Sequence, residues 1–200
     1  MTRNVIHHTR LGGYPRSVAL LLVVGVASIV LALAFKALAA FTQYHLSFML
    51  SVVPDALGVR SVSYRKEESW GLGPGGNEAG VRVYPLEEQI AGQVREGGLA
   101  FLFNMPPNKN QKNRRWRGEY SEWRETPIKL SAHWRPNIRS GKFEVYDYVC
   151  RYGFCVEIDG DIVEEIGLIV NSSGSYYAYG RVGLIIVSPE WKKVIYLYNG

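Results

Sequence analysis

Between residues 108 and 124 the chain interleaves cations with aromatic rings: Lys109, Lys112, Arg114, Arg115, Arg117 and Arg124 alternate with Trp116, Tyr120 and Trp123. Guanidinium groups bind phosphate and carboxylate. Flat rings stack on bases or settle at a lipid interface. The segment is therefore the first candidate binding surface, with Lys112, Arg114, Arg115, Trp116, Arg117, Tyr120 and Trp123 as its contact residues. It suits single-stranded nucleic acid, anionic lipid headgroups or acidic glycans. It equally suits a solvated loop whose aromatics pack back on their own domain.

Other chemistry is sparser. Residues 70–80 hold five glycines and one proline, a loop composition. Its backbone amides could cradle an anion, and Asn77 and Glu78 at its tip could meet a partner, but the spacing of a nucleotide-binding loop is absent. Glu78, Glu119 and Glu122 are the loop carboxylates that could converge for glycoside hydrolysis, which takes a pair. His133, between Ala132 and Trp134, reads as a packed histidine rather than a general base. Asp159, Asp161, Glu164 and Glu165 lack the spacing of a calcium loop, and Asp159-Gly160 reads as a hairpin turn. Asn171-Ser172-Ser173 is a formal glycosylation acceptor. Neither G-x-S-x-G nor H-E-x-x-H occurs. No metal or other cofactor is expected.

Cys150 and Cys155 flank Arg151-Tyr152-Gly153-Phe154. With Tyr152-Gly153 as a two-residue turn, the cysteines face each other as a non-hydrogen-bonded pair, whose Cα atoms approach to about 4.5 Å. That separation admits a disulfide, and a disulfide implies an oxidising compartment.

The element that places these groups is at the N-terminus. Residues 17–35 form a 19-residue run without charge, close to the ~20 residues that cross a ~30 Å hydrocarbon core as a helix. Ala37-Leu38-Ala39 offers a signal-peptidase site, but the apolar run exceeds the length usual for a signal peptide, so an anchor is the preferred reading over a cleaved signal. Arg3, Arg10 and Arg16 precede the run and Lys36 alone follows within twenty residues, which predicts a cytoplasmic N-terminus and a domain outside, periplasmic or extracellular. No glycine or proline interrupts residues 37–53, so the helix is expected to continue as a stalk to Pro54, with His45 in it as a packing or interface residue. The expected divisions are a tail over 1–16, a transmembrane helix over 17–35, a stalk over 36–54 and a domain over 55–200.

The net charge of +5 then loses its force as a sign of nucleic acid. Residues 1–54 carry four basic side chains and no acid, whereas residues 55–200 carry 19 basic and 18 acidic side chains. A DNA-binding domain needs its own clustered surplus. Charge is segregated within the domain: residues 109–142 total +7 and residues 144–165 total −6. These segments are expected to face each other within one fold or between subunits.

Strand-like runs fall at 61–64, 81–84, 99–103, 128–134, 143–150, 154–158, 162–170, 176–187 (broken at Gly180) and 194–198. Residues 85–98 read as a helix, with Leu86, Ile90 and Val94 on one face, Pro85 in its first turn and Gly97-Gly98 as its stop. Residues 106–124 read as a long surface loop. The expected fold is α+β, a mainly antiparallel meander with one covering helix. The expected function is a non-enzymatic binding or assembly component of the cell envelope. Its partners would be the lipid bilayer, a protein or a second copy, and anionic lipid or glycan, but not nucleic acid. An envelope hydrolase is the alternative, and an intracellular nucleic-acid binder requires the anchor or its orientation to be wrong.

Overall fold

The computed structural model describes residues 16–70, 77–129, 142–151 and 155–200. The first element, α1, is a 35-residue helix over Arg16–Leu50. Leu20–Leu50 within it is long and apolar enough to cross a membrane, with a mean hydropathy of 2.5. Its large apolar side chains from Leu20 to Phe41 are exposed. Its hydroxyls bond inside the helix: Ser28 Oγ donates to the Val24 carbonyl and Thr42 Oγ1 to that of Leu38, each at 2.9 Å.

The chain divides into two compact units, Met1–His45 and Leu46–Gly200. The last turn of α1 thus belongs to the second unit. There follow a 3-10 turn (Asp55–Leu57), β1 (Tyr64–Trp70), β2 (Asn77–Pro85), α2 (Glu88–Phe103), α3 (Gln111–Arg114) and β3 (Arg124–Glu125). Then come α4 (Val145–Val149), α5 (Gly160–Asn171), β4 (Tyr176–Tyr179), β5 (Gly183–Ser188) and β6 (Lys193–Asn199).

The strands form one antiparallel six-stranded sheet in the order β1-β2-β6-β5-β4-β3. The fold is α+β, with β4-β5-β6 as the expected meander and the β1–β2 hairpin added beside β6. Gly180 does break the 176–187 run, its N–H donating to the Gly183 carbonyl at 2.7 Å. β1 forms one edge and carries four consecutive charges, Arg65-Lys66-Glu67-Glu68.

Both faces of the sheet are covered, where one covering helix was expected. On the first face, α4, α5 and the extended segment 155–158 pack Val145, Val149, Val156, Ile158, Ile166 and Ile169 against Leu184, Ile186, Ile195 and Leu197. On the second, α2 and the 52–57 segment pack Val53, Leu57, Ala91 and Val94 against Ile185, Val187, Val194 and Tyr196. Hence every residue of β5 is buried, and its run Leu184-Ile185-Ile186-Val187 is apolar without alternation.

The first face corrects four expectations. Residues 162–170 form helix α5, because Ile162, Val163, Ile166, Ile169 and Val170 follow helical spacing and face the core together. Asp159 is accordingly the residue before a helix, not part of a hairpin turn. Residues 145–149 are a short helix whose Val145 and Val149, four apart, are both buried. Residues 155–158 reach the core without joining the sheet. Ile128 is buried and its N–H donates to the Val170 carbonyl at 2.9 Å; residues 130–134, with His133, lie outside the described residues.

On the second face, α2 comprises two helical segments that meet at Gly98, and residues 99–103 are helix rather than strand. Gly98, at φ 53° and ψ −136°, is not helical, so Gly97-Gly98 does interrupt the helix where a stop was expected, and Leu102 is buried beyond the break. Pro85 closes β2 instead of opening the helix. Pairing of β1 begins at Tyr64, so 61–63 are not strand. The glycine-rich 71–76 lie outside the described residues.

Cys150 and Cys155 form a disulfide, their Cα atoms 4.2 Å apart. The bridge starts at the end of helix α4, not on a hairpin strand; Tyr152-Gly153 lies outside the described residues. Two glycines make room for rings on the second face: a Cβ on Gly183 would overlap the Tyr196 ring, and one on Gly80 that of Tyr198.

Candidate functional site

A helix leaves its last carbonyls without intrahelical donors, and the usual remedy is a left-handed glycine or asparagine. At the end of α1 the sequence reads Met49-Leu50-Ser51-Val52-Val53-Pro54 and offers neither. Backbone N–H groups of Ser51 and Val53 serve the carbonyls of Ser47, Phe48 and Leu50, and side chains of the domain supply donors to Met49 and to the connector after the helix. Tyr84 hydroxyl donates to the Met49 carbonyl at 2.8 Å and Tyr120 hydroxyl to that of Val52 at 2.8 Å. Arg114 Nη2 donates to Ser51 and Val53 carbonyls at 2.7 and 2.8 Å. A cation there also complements the negative end of the helix.

The basic loop is shaped to make this grip. Arg114 ends α3, a single turn bounded by Asn110 at φ 55° and Arg115 at φ 57°. Its Nη1 pairs with Asp55 Oδ1 at 2.5 Å, and the Lys109 N–H donates to Asp55 Oδ2 at 2.7 Å. The Asp55 N–H in turn donates to Asn108 Oδ1 at 2.8 Å. The Arg114 side chain is only 13% exposed. The segment read as a surface binding loop is thus folded onto residues 51–55.

Its outer side borders a groove of about 490 Å³ lined by Phe103, Met105, Pro106, Pro107, Trp116 and Tyr120, with Glu119 and Arg181 as its charged residues. Phe103 is 54% exposed. Beside the α1 end lies a second polar cluster. Arg82 is buried, and its Nη2 donates to Glu67 Oε2 at 2.9 Å and to the Tyr198 hydroxyl at 3.2 Å. Tyr198 donates to the same carboxylate oxygen at 2.7 Å. The Arg82 guanidinium stands 4.8 Å from the Tyr198 ring centroid and 5.9 Å from that of Phe48. Arg117 stands 4.4 Å from Phe48 on α1 and 5.4 Å from Trp116.

Titration follows this packing. Burial by itself would raise the Glu67 carboxyl, but hydrogen bonds from Tyr198 and Arg82 and the nearby positive charge outweigh it and hold Glu67 below the usual range. Burial raises Tyr84, Tyr120 and Tyr198 above the ordinary phenol value, and pushes Tyr196 up to about 12.

The candidate residues therefore separate. Arg114 and Tyr120 bond the connector after α1, and Trp123 is 3% exposed in the second core, 5.7 Å from the Tyr120 ring. Trp116 lines the groove, Arg117 rests on Phe48, and Lys112 and Arg115 are exposed. Asn77 and Glu78 are not at a loop tip: they belong to β2, opposite Trp70 and Ser69, and Glu78 exchanges backbone bonds with Gly200 at 2.9 and 3.0 Å. Of the three carboxylates, Glu119 alone lines the groove, and Glu122 pairs with Arg124 at 2.8 Å. No group of three or more His, Cys, Asp or Glu able to hold a metal occurs among the described residues.

Among the described residues, two salt bridges of the acidic segment go to Lys66 from Asp159 and to Lys193 from Glu165. Sequence reasoning missed Arg82, Tyr84, Glu67 and Tyr198. Their available signal was the i, i+2 pairing of Arg82 with Tyr84 and of Tyr196 with Tyr198, which puts each pair on one face of its strand. Comparison with protein families, curated proteins and solved structures finds no match to this chain.

Proposed function

We propose that this protein is a single-pass, membrane-anchored component of a cell envelope, with its N-terminus cytoplasmic and its folded domain outside. In this reading it acts by binding or assembly rather than by catalysis. The observation that carries it is α1, whose stretch Leu20–Leu50 is long and apolar enough to cross a membrane. Four backbone carbonyls, at Met49, Ser51, Val52 and Val53, are received by Tyr84, Arg114 and Tyr120 of the domain. The chain just after α1 is thus tied into the folded domain.

The surface we assign to a protein partner is the groove beside Trp116, which mixes aromatic and proline residues with Asn108, Gln111, Glu119 and Arg181. The disulfide supports placement in an oxidising compartment. The groove gathers one carboxylate, where glycoside hydrolysis takes two.

Two measurements test the reading. After alkaline carbonate extraction the full-length chain is expected in the membrane pellet. In spheroplasts, added protease is expected to remove the domain while leaving α1 in the membrane. A soluble chain, or a domain protected in sealed spheroplasts and cut only after lysis, overturns it.

A further inference from the structure

We infer that this chain binds a second copy of itself, with the outer stripe of α5 of one copy seated in the groove beside Trp116 of the next. This rests on the groove as the surface for a protein partner and names that partner. Its basis is charge that the fold leaves unpaired. Near the groove, Arg114 is paired with Asp55 and Arg124 with Glu122. Among the described residues, Lys112, Arg115, Arg117 and Arg181 have no carboxylate partner. Lys112, Arg115 and Arg181 are exposed, and Glu119 is the one acid among the described residues that line the groove.

The matching charge lies on the first face of the sheet. Residues 155–165 hold five acids and no base. Asp159 and Glu165 pair with Lys66 and Lys193. Glu157, Asp161 and Glu164 are exposed and have no ion-pair partner among the described residues. On α5, Asp161, Glu164 and Leu168 follow at i, i+3 and i+7, which sets them in one line along the helix. That line is opposite the side on which Ile166, Ile169 and Val170 enter the core. Leu168 is 51% exposed.

The sheet stands between the two patches. Helix α5 covers its first face, and α2, whose Phe103 lines the groove, covers its second. The patches therefore cannot meet within one copy. Between copies they match twice over. The unpaired acids of α5 face a basic rim, and exposed Leu168 faces the rings of Phe103 and Trp116, as an amphipathic helix lies in a groove. Because the patches are on opposite faces, the contact is heterologous. Each copy gives its groove to one neighbour and its α5 to another, which builds rings or rows rather than two-fold pairs. Rim charges with one apolar anchor make a weak contact, so copies separate at the dilution of an unfolding experiment.

The test uses the full-length chain in nonionic detergent micelles. A carbodiimide joins touching amines and carboxylates without a spacer. In a mixture of unlabelled and heavy-isotope-labelled chains it is expected to join the Lys112 peptide of one label to the α5 peptide of the other. High salt is expected to lower that yield severalfold. Lys112→Glu with Arg115→Glu makes the groove rim acidic, and Asp161→Lys with Glu164→Lys makes α5 basic. Each double variant alone is expected to weaken association, read by sedimentation, on the order of a hundredfold, because like charges then face each other. Mixing the two variants restores opposite signs at every contact and is expected to restore the multimers. Should either variant fail to fold, the isotope-mixed wild-type cross-link decides alone. A wild-type chain that sediments as a monomer at low salt, a cross-link confined to chains of one label, or a mixture of two folded variants that stays monomeric overturns the inference. Each of these leaves the anchor reading standing and the groove to a partner of another kind. Loss of the chain to the carbonate supernatant overturns the anchor reading instead.

Discussion

The two faces of the sheet are both closed, but they are closed by different chemistry. On the first, α4 and α5 lay apolar side chains on Leu184, Ile186, Ile195 and Leu197. On the second, α2 covers part of a similar surface, and the remainder is taken by polar arms, those of Tyr84, Arg82, Arg114 and Tyr120, that reach residues 48–55. The contrast separates stability from placement. A dry face can hold the sheet without specifying a neighbour's angle, because apolar contact is non-directional. Hydrogen bonds to named carbonyls specify direction, and they appear where a helix end has to be held.

The contrast yields graded expectations, each read on the full-length chain in detergent micelles. Ile186→Ala on the first face is expected to cost most, about 3–4 kcal/mol of unfolding free energy by cavity formation, seen as a lower denaturant midpoint. Arg114→Ala is expected to cost about 2–3 kcal/mol, because Asp55 and two carbonyls lose their donor. It differs in kind as well: limited proteolysis within residues 51–57 should rise before the rest of the domain opens. A loss below about 0.5 kcal/mol with unchanged cleavage would show that the grip is idle.

Tyr120→Phe removes one donor and is expected to cost about 1 kcal/mol. Glu67 gives a pH signature. Its carboxyl is held below the usual range in the folded state, so at acid pH the unfolded chain binds the proton more readily. The stabilisation is complete above the unfolded value of about 4.3 and is lost as pH falls through the lower folded value. Glu67→Gln should flatten that acid limb of the stability curve, and an unchanged limb would assign it to other carboxylates. Smallest of all, Lys112→Gln and Arg115→Gln together should leave the unfolding midpoint within about 0.5 kcal/mol of wild type, since both side chains are exposed.

What could be read from sequence follows the same division. The apolar helix was legible because nineteen uncharged residues leave few alternatives. The β4–β6 meander was legible because Gly180 and Ser188-Pro189 punctuate it. Helix α5 was missed because a nine-residue apolar-rich run fits either a buried strand or a short helix, and Asp159-Gly160 imitates turn chemistry. The disulfide was legible from spacing, though it starts from a helix end.

The basic loop was picked out correctly as unusual, yet the role of Arg114 was not legible. Its acceptors are backbone carbonyls about sixty residues upstream, and carbonyls leave no mark in a sequence. Arg82 was hidden for a related reason. In an alternating strand it reads as a solvent residue, and only the covering of both faces turns it inward.

The charged edge strand β1 acquires a meaning once the domain is thought of as confined to a plane. Under the proposed anchoring, copies would share a thin layer in which lateral encounters are frequent and sheets approach side by side. An open strand in that setting is a template for sheet growth from one copy to the next. Arg65-Lys66-Glu67-Glu68 sets four charges along that rim, so two copies meeting edge to edge would have to desolvate them all. Under the proposed anchoring, that charged rim would keep neighbouring copies from joining edge to edge.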